Sequence, residues 1–244
     1  MEWLTARAVA HRGLHDGGNI VENTASAFAA AIAGGYGIEC DLQISADGEA
    51  MVHHDEALGR LAQGSARLEA VTAAELKRIP FKAGTDGMIT LGDLCDLTAG
   101  RTPLIIELKS HYDGDRRLVR RTADVLSTYG GHAAVMSFDP VQMGTLREIA
   151  PGIVRGIVAE RADEHYRRYG WFDAARRGAT YCEHLRRMRP QFVAYAVNDL
   201  PAIMPSVARN VFKCPVLAWT VRNPLQREKA RRYADQIIFE GFRP

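Results

Sequence analysis

A chain of 244 residues, 47% hydrophobic and 25% charged, has ordinary globular composition and is long enough for one α/β barrel. A formal net charge of +2 gives no case for a nucleic-acid partner, and late arginines such as Arg186, Arg187, Arg231 and Arg232 read as solvated helix faces. No apolar run reaches transmembrane length, MEWLTARAVAHRG lacks a signal-peptide core, and Cys40, Cys95, Cys182 and Cys214 are scattered without metal-site spacing. A reduced, cytoplasmic protein is expected.

Short apolar runs alternate with amphipathic stretches, the pattern of a parallel sheet with helical crossovers. Strands are predicted over 7–10, 37–43, 103–109, 133–137, 155–159, 192–197, 216–221 and 236–239. Helices are predicted over 24–33, 116–129, 140–150, 164–177, 200–209 and 225–233, and Thr72-Ala-Ala-Glu75 has capping-box spacing for a short one. Eight such strands predict a TIM (β/α)8 barrel, read as one domain over 1–244. Residues 50–53 follow the second strand too closely for a parallel crossover, so 45–54 reads as a hairpin above the rim. Residues 59–103 read as an excursion over the same rim, with 81–86 its loosest part.

Chemistry in such a barrel gathers at the C-terminal ends of the strands. The first strand ends in His11-Arg12-Gly13, the second carries Glu39 and Asp41, and the hairpin delivers His54. The third ends in Glu107-Leu-Lys109, the fourth in Ser137-Phe138-Asp139, and Trp219 lies near the end of the seventh. Glu39 and Asp41, two apart in an extended chain, share one face. Three carboxylates without cysteine suit a hard cation, Mg²⁺ or Ca²⁺, which would also relieve their mutual repulsion. Arg12 and Lys109 supply fixed positive charge for a phosphate, and two histidines supply a general acid and a general base. Taken singly, each residue also has a structural reading: Lys109 as a surface lysine, Trp219 as rim packing, His53 and Asp55 as structural neighbours turned away from His54. The remaining histidines show no partner pattern.

The ordered set AHRG (10–13), VENTASAF (21–28), IECDLQISADG (38–48), MVHHDEALGR (51–60), TAAELKRIP (72–80), ITLGDL (89–94), IIELKS (105–110), SFDP (137–140) and AWTVRNP (218–224) resembles the glycerophosphodiester phosphodiesterase family. The resemblance implies a metal-dependent hydrolase that cleaves small-molecule glycerophosphodiesters to an alcohol and glycerol 3-phosphate. It casts Glu39, Asp41 and Glu107 as metal ligands, His11 and His54 as the acid–base pair, and Arg12 and Lys109 as phosphate binders, while Trp219 is a substrate-contact candidate from its place near the end of the seventh strand. Glu22 and Asn23 match a family element that would brace the His11-Arg12 turn, with Glu22 also within reach of substrate or metal.

One departure is local: family members commonly end the last strand with Thr-Asp, where this chain has Ile238-Phe239-Glu240-Gly241. Contact of that position with the alcohol would alter head-group preference. The segment between His54 and Glu107 is also short. The roles of the two histidines, and water or the glycerol 2-hydroxyl as nucleophile, stay open. So do a phospholipase-D-like enzyme that acts on lysophospholipids or stops at a cyclic phosphate, and a non-catalytic phosphodiester-binding barrel. Oligomeric state is not signalled by the sequence.

Overall fold

The computed structural model describes residues 1–161 and 185–244. Nine strands are described: β1 (Val9–Ala10), β2 (Gly37–Ile44), β3 (Ala50–Val52), β4 (Leu104–Leu108), β5 (Ala133–Ser137), β6 (Val154–Ala159), β7 (Phe192–Ala196), β8 (Val216–Val221) and β9 (Gln236–Phe239). Their order is β1-β9-β8-β7-β6-β5-β4-β2-β3, and β1 also pairs with β2. That pairing closes eight parallel strands into a TIM barrel. The ninth, β3, runs antiparallel to the far end of β2, with Leu42 opposite Val52 and Ile44 opposite Ala50. The hairpin is therefore as expected from its short turn.

Strand alternation divides the core in two. Val9, Ile105, Met136, Val158, Phe192, Leu217 and Ile238 fill the barrel, with Leu4 from the 3-10 turn Glu2–Leu4 packed among them. Gly156 leaves room for this filling, because a Cβ there would come within 2.4 Å of the Phe192 ring. Ile38, Cys40, Leu42, Leu104, Ile106 and Leu108 point the other way, into the layer beneath the helices. Glu39, Asp41 and Glu107, on the alternate positions, consequently belong to the inward face.

The described helices are α1 (Ala25–Ala33), α2 (Ala73–Leu76), α3 (Leu91–Thr98), α4 (Arg117–Leu126), α5 (Pro140–Ile149), α6 (Ile203–Asn210) and α7 (Pro224–Tyr233). Their starts follow from local chemistry: Thr24 caps α1, Asp139 caps α5 ahead of Pro140, and Asn223 caps α7 ahead of Pro224. The Thr72–Glu75 capping box opens α2. Predicted helix 164–177 lies outside the described residues, as do His165, Cys182 and His184.

The reading of 59–103 as rim excursion needs correction. Its last part is the barrel helix α3, opened by a second capping box from Thr90 to Asp93 and packed against α1 and α4. The true excursion ends before Thr90 and owns a small core of Val21, Met51, Leu58, Leu68, Leu76, Phe81 and Met88. Phe81, expected to be loose, is buried there and pairs with Ala62.

Candidate active site

His11, Arg12 and Gly13 leave β1 through a tight turn. Gly13 has φ +79°, and a Cβ would lie 2.8 Å from Ala27, so the start of α1 can approach only a glycine. Arg12 and Asn23 also adopt positive φ, 56° and 58°. Asn23 N–H donates to Arg12 O (2.9 Å), and its Nδ2 donates to Asp41 Oδ2 (2.9 Å). The expected brace is thus Asn23 for the turn backbone and Glu22 for the guanidinium, which it holds at 2.7 Å.

In register, Asp41 stands beside Glu107 and Glu39 beside Ile105. One oxygen from each of Glu39, Asp41 and Glu107 lies within 4.8 Å of the others, and all three side chains are buried. Cations surround them. Lys109 Nζ sits 2.9 Å from Asp41 Oδ1 and 2.7 Å from Glu107 Oε1, Arg12 Nε sits 3.1 Å from Asp41 Oδ2, and Arg12 N–H donates to Glu39 Oε2 (2.9 Å). Burial opposes ionisation of Asp41, but Lys109 and Arg12 outweigh it and hold the carboxyl far below its ordinary range. Glu39 goes the opposite way: burial, then the charges of Asp41 and Glu107, push it well above its ordinary value. Lys109 resists burial because Asp41 and Glu107 favour its charged form.

This donor set fits a hard divalent cation. All three donors are carboxylate oxygens, and Asp41 Oδ1 is buried without a well-formed hydrogen bond although Lys109 is close. A cation there would supply the charge that Glu39 lacks.

Both candidate histidines lie close enough for Asp41 to feel their field. His11 Nε2 lies 4.0 Å from Glu39 Oε2, while its Nδ1 is 2.6 Å from Glu240 Oε2. Burial lowers the His11 pKa despite the bond to Glu240. His54, half-buried, places Nδ1 2.8 Å from Asp55 Oδ1, and Gln43 Nε2 donates to its carbonyl (3.0 Å). Asp55 is therefore not turned away, as alternation beyond the strand would have it. β3 stops at Val52, so the period-2 rule no longer applies at residues 53–55. Arg60 donates to both Asp55 Oδ2 (2.6 Å) and Glu22 Oε1 (2.7 Å), tying the supports of His54 and Arg12 into one network. His53 is structural, buried over Phe81.

Trp219 stands edge-on to Phe138 with ring centroids 5.7 Å apart. Its Nε1–H is buried without a hydrogen-bond partner. Sequence reasoning missed Asp55, Arg60 and Arg222, whose Nη2 donates to Glu240 Oε2 (3.0 Å), as site supports. A carboxylate next to a candidate histidine was the available signal for Asp55. Of the remaining histidines, His132 stacks on Trp3 and His111 Nδ1 lies 3.5 Å from Glu56.

Fold and rim together define a TIM barrel whose strand ends carry a buried cluster of three carboxylates that could hold a cation, with His11 beside it. The glycerophosphoryl diester phosphodiesterase family model matches residues 11–239, and the chain belongs to this family. A glycerophosphodiester phosphodiesterase from Caldanaerobacter subterraneus subsp. tengcongensis is 28% identical over 162 residues, which span 62% of this chain and 65% of that protein. The solved glycerophosphodiester phosphodiesterase of Thermotoga maritima aligns with a TM-score of 0.74 at 25% identity, covering 96% of this chain and 94% of its own. A phosphodiesterase of Oleispira antarctica, solved in complex with the product sn-glycerol-3-phosphate, aligns with a TM-score of 0.76 at 20% identity, covering 96% and 92%. No described helix is long and apolar enough to cross a membrane.

Proposed function

We propose that this protein hydrolyses glycerophosphodiesters to an alcohol and glycerol 3-phosphate, with Mg²⁺ or Ca²⁺ held by Glu39, Asp41 and Glu107. The observation that carries the reading is the meeting of those three carboxylates within 4.8 Å, with Arg12 and Lys109 against Asp41 and the His11 imidazole 4.0 Å from Glu39. Family membership supplies the reaction class, and the Oleispira antarctica product complex supports a glycerol phosphate as the retained fragment.

When bound, the cation supplies Lewis acidity at a phosphate oxygen and neutralises the carboxylates. Arg12, its guanidinium set by Glu22 and Asp41, and Lys109, set by Asp41 and Glu107, offer fixed positive charge to the phosphate. His11, neutral and carrying its proton on Nδ1, accepts the proton of the attacking hydroxyl at Nε2. The phosphorus–oxygen bond to the alcohol breaks, and His54, nearer to solvent on the hairpin side, returns a proton to the departing alkoxide. Trp219 offers its unpartnered Nε1–H to the substrate. The whole chain is read as one domain. Three free cysteines among the described residues, Cys40, Cys95 and Cys214, agree with a reducing compartment such as the cytoplasm.

The test is a panel of glycerophosphodiesters, with released glycerol 3-phosphate as readout and with cation or chelator present. Release that depends on cation supports the reading. No release from any diester in the presence of Mg²⁺, Ca²⁺ or Mn²⁺ would overturn it.

A further inference from the structure

Glu240 stands just after β9, where family members commonly carry Thr-Asp, and sequence position leaves it free to meet the substrate alcohol. Its contacts leave no such freedom. Oε2 accepts from His11 Nδ1 at 2.6 Å and from Arg222 Nη2 at 3.0 Å, and Oε1 accepts from Arg222 Nε at 3.2 Å. The backbone fixes both partners before any side chain moves: Glu240 N–H donates to Val221 O (3.0 Å), and His11 N–H donates to Phe239 O (2.9 Å). A carboxylate facing Nδ1 admits one neutral imidazole tautomer, with hydrogen on Nδ1 and the lone pair on Nε2. Nε2 is the nitrogen on the Glu39 side, 4.0 Å from its carboxylate.

We propose that Glu240 is a positioning residue for the reaction: held by Arg222, it fixes the tautomer and ring orientation of His11 so that Nε2 meets the nucleophile, and it does not select the alcohol. The inference rests on the phosphodiesterase reading for its catalytic consequence but not for its geometry. Glu240 is held in its ionised form, its pKa drawn down to about 2, chiefly by the His11 bond and, against burial, also by Arg222. As Nε2 takes the proton, the carboxylate also stabilises the imidazolium through Nδ1–H. The structural alternative is an ion pair that only fastens β9 to β8. It would change stability and leave the imidazole as it was.

Glu240→Ala and Glu240→Gln separate these roles, read by ¹⁵N spectra of the His11 ring and by kinetics with Mg²⁺ on glycerophosphocholine and glycerophosphoglycerol. The parent is expected to show hydrogen on Nδ1. In Glu240→Ala the ring should shift toward the Nε2–H form, and kcat should fall about 10²–10⁴-fold on both diesters with KM little changed. The amide oxygen of Glu240→Gln can still accept from Nδ1, so that variant should keep the tautomer and recover part of kcat. Parent-like kcat or an unchanged tautomer in Glu240→Ala would overturn the proposal. A loss confined to KM for one diester would overturn it too, by placing Glu240 at the head group. If Glu240→Ala does not fold, Glu240→Gln decides: an Nδ1–H ring with kcat lowered on both diesters supports the role, and parent kcat or an Nε2–H ring refutes it. A parent without turnover defeats the phosphodiesterase reading, while the ring spectra still decide what Glu240 does to His11.

Discussion

Glu39 is buried beside two carboxylates that repel its charge. Glu39→Gln should therefore leave the metal-free protein at least as stable as the parent, because a neutral isostere removes that conflict. It should also abolish most of the rise in Tm that Mg²⁺ or Ca²⁺ gives the parent, and activity should collapse. A variant that still gains the parent's Tm increment on adding cation would remove Glu39 from the ligand set. Lys109→Met tests the phosphate grip. Glycerophosphocholine and glycerophosphoethanolamine present the same phosphodiester, so kcat/KM should drop alike for both, roughly tenfold or more. A loss that depends on the head group would put Lys109 elsewhere. For the histidines, a p-nitrophenyl ester needs little help from an acid, so His54→Asn should damage an alkyl diester far more than it damages that ester. His11→Asn should damage both alike, and equal damage ratios for the two variants would refute the assignment. Glu39, Asp41 and Glu107 were readable because a period of two puts strand residues on one face. The link from His11 to Glu240 was not, since 229 residues separate them and only barrel closure joins them.

Two threonine caps show how differently elements depend on their first residue. Thr90 opens α3 through a reciprocal box with Asp93 on the outer layer. Thr90→Ala should cost about 1 kcal/mol in urea denaturation and leave kcat/KM near the parent value. Thr24 caps α1 and also donates to Val21 O at 2.7 Å across Glu22 and Asn23, whose side chains hold Arg12 and Asp41. Thr24→Ala should therefore lower stability by about 1–2 kcal/mol and reduce activity as well. If activity survives unaltered, the turn does not depend on its threonine. The strands were legible to within one residue at each end, apart from β1. Of the predicted 7–10, Val9 and Ala10 are in register with both β2 and β9, and Ala8 adds one bond, its carbonyl accepting from Gly37 N–H (2.9 Å). Helix α3 escaped notice for two physical reasons: it has eight residues, and its box uses aspartate where the usual pattern has glutamate or glutamine.

At the scale of the molecule, paired rim carboxylates set the response to acid. Burial raises the pKa of Glu22 and Asp55, but Arg60, together with Arg12 at Glu22 and His54 at Asp55, outweighs it and holds both below their ordinary values. Glu240 is held down to about 2, first by His11 and, against burial, also by Arg222. The unfolded chain therefore binds these protons first. The stability they give is present above the ordinary carboxylate range and is lost as pH falls below it toward the depressed values. Burial of His11 in its neutral form adds a loss that begins below pH about 6.5. Glu39, with its raised value, works the other way at higher pH. The expected Tm, measured with chelator throughout, therefore falls once pH drops below the ordinary carboxylate range toward pH about 3, and a flat profile there would contradict the pairing. Barrel closure has a further consequence for how the protein is made. β9 is the last of the eight staves to leave the ribosome, yet it is the one that seats β1 and brings Glu240 to His11. A nascent chain that has exposed residues up to 235 already holds Glu39, Asp41, Glu107 and both histidines. It has two open sheet edges, a first strand supported on one side only, and an imidazole with nothing to set its tautomer. Full activity should thus wait until residues 236–240 have joined the barrel, with β9 seated beside β1 and Glu240 against His11.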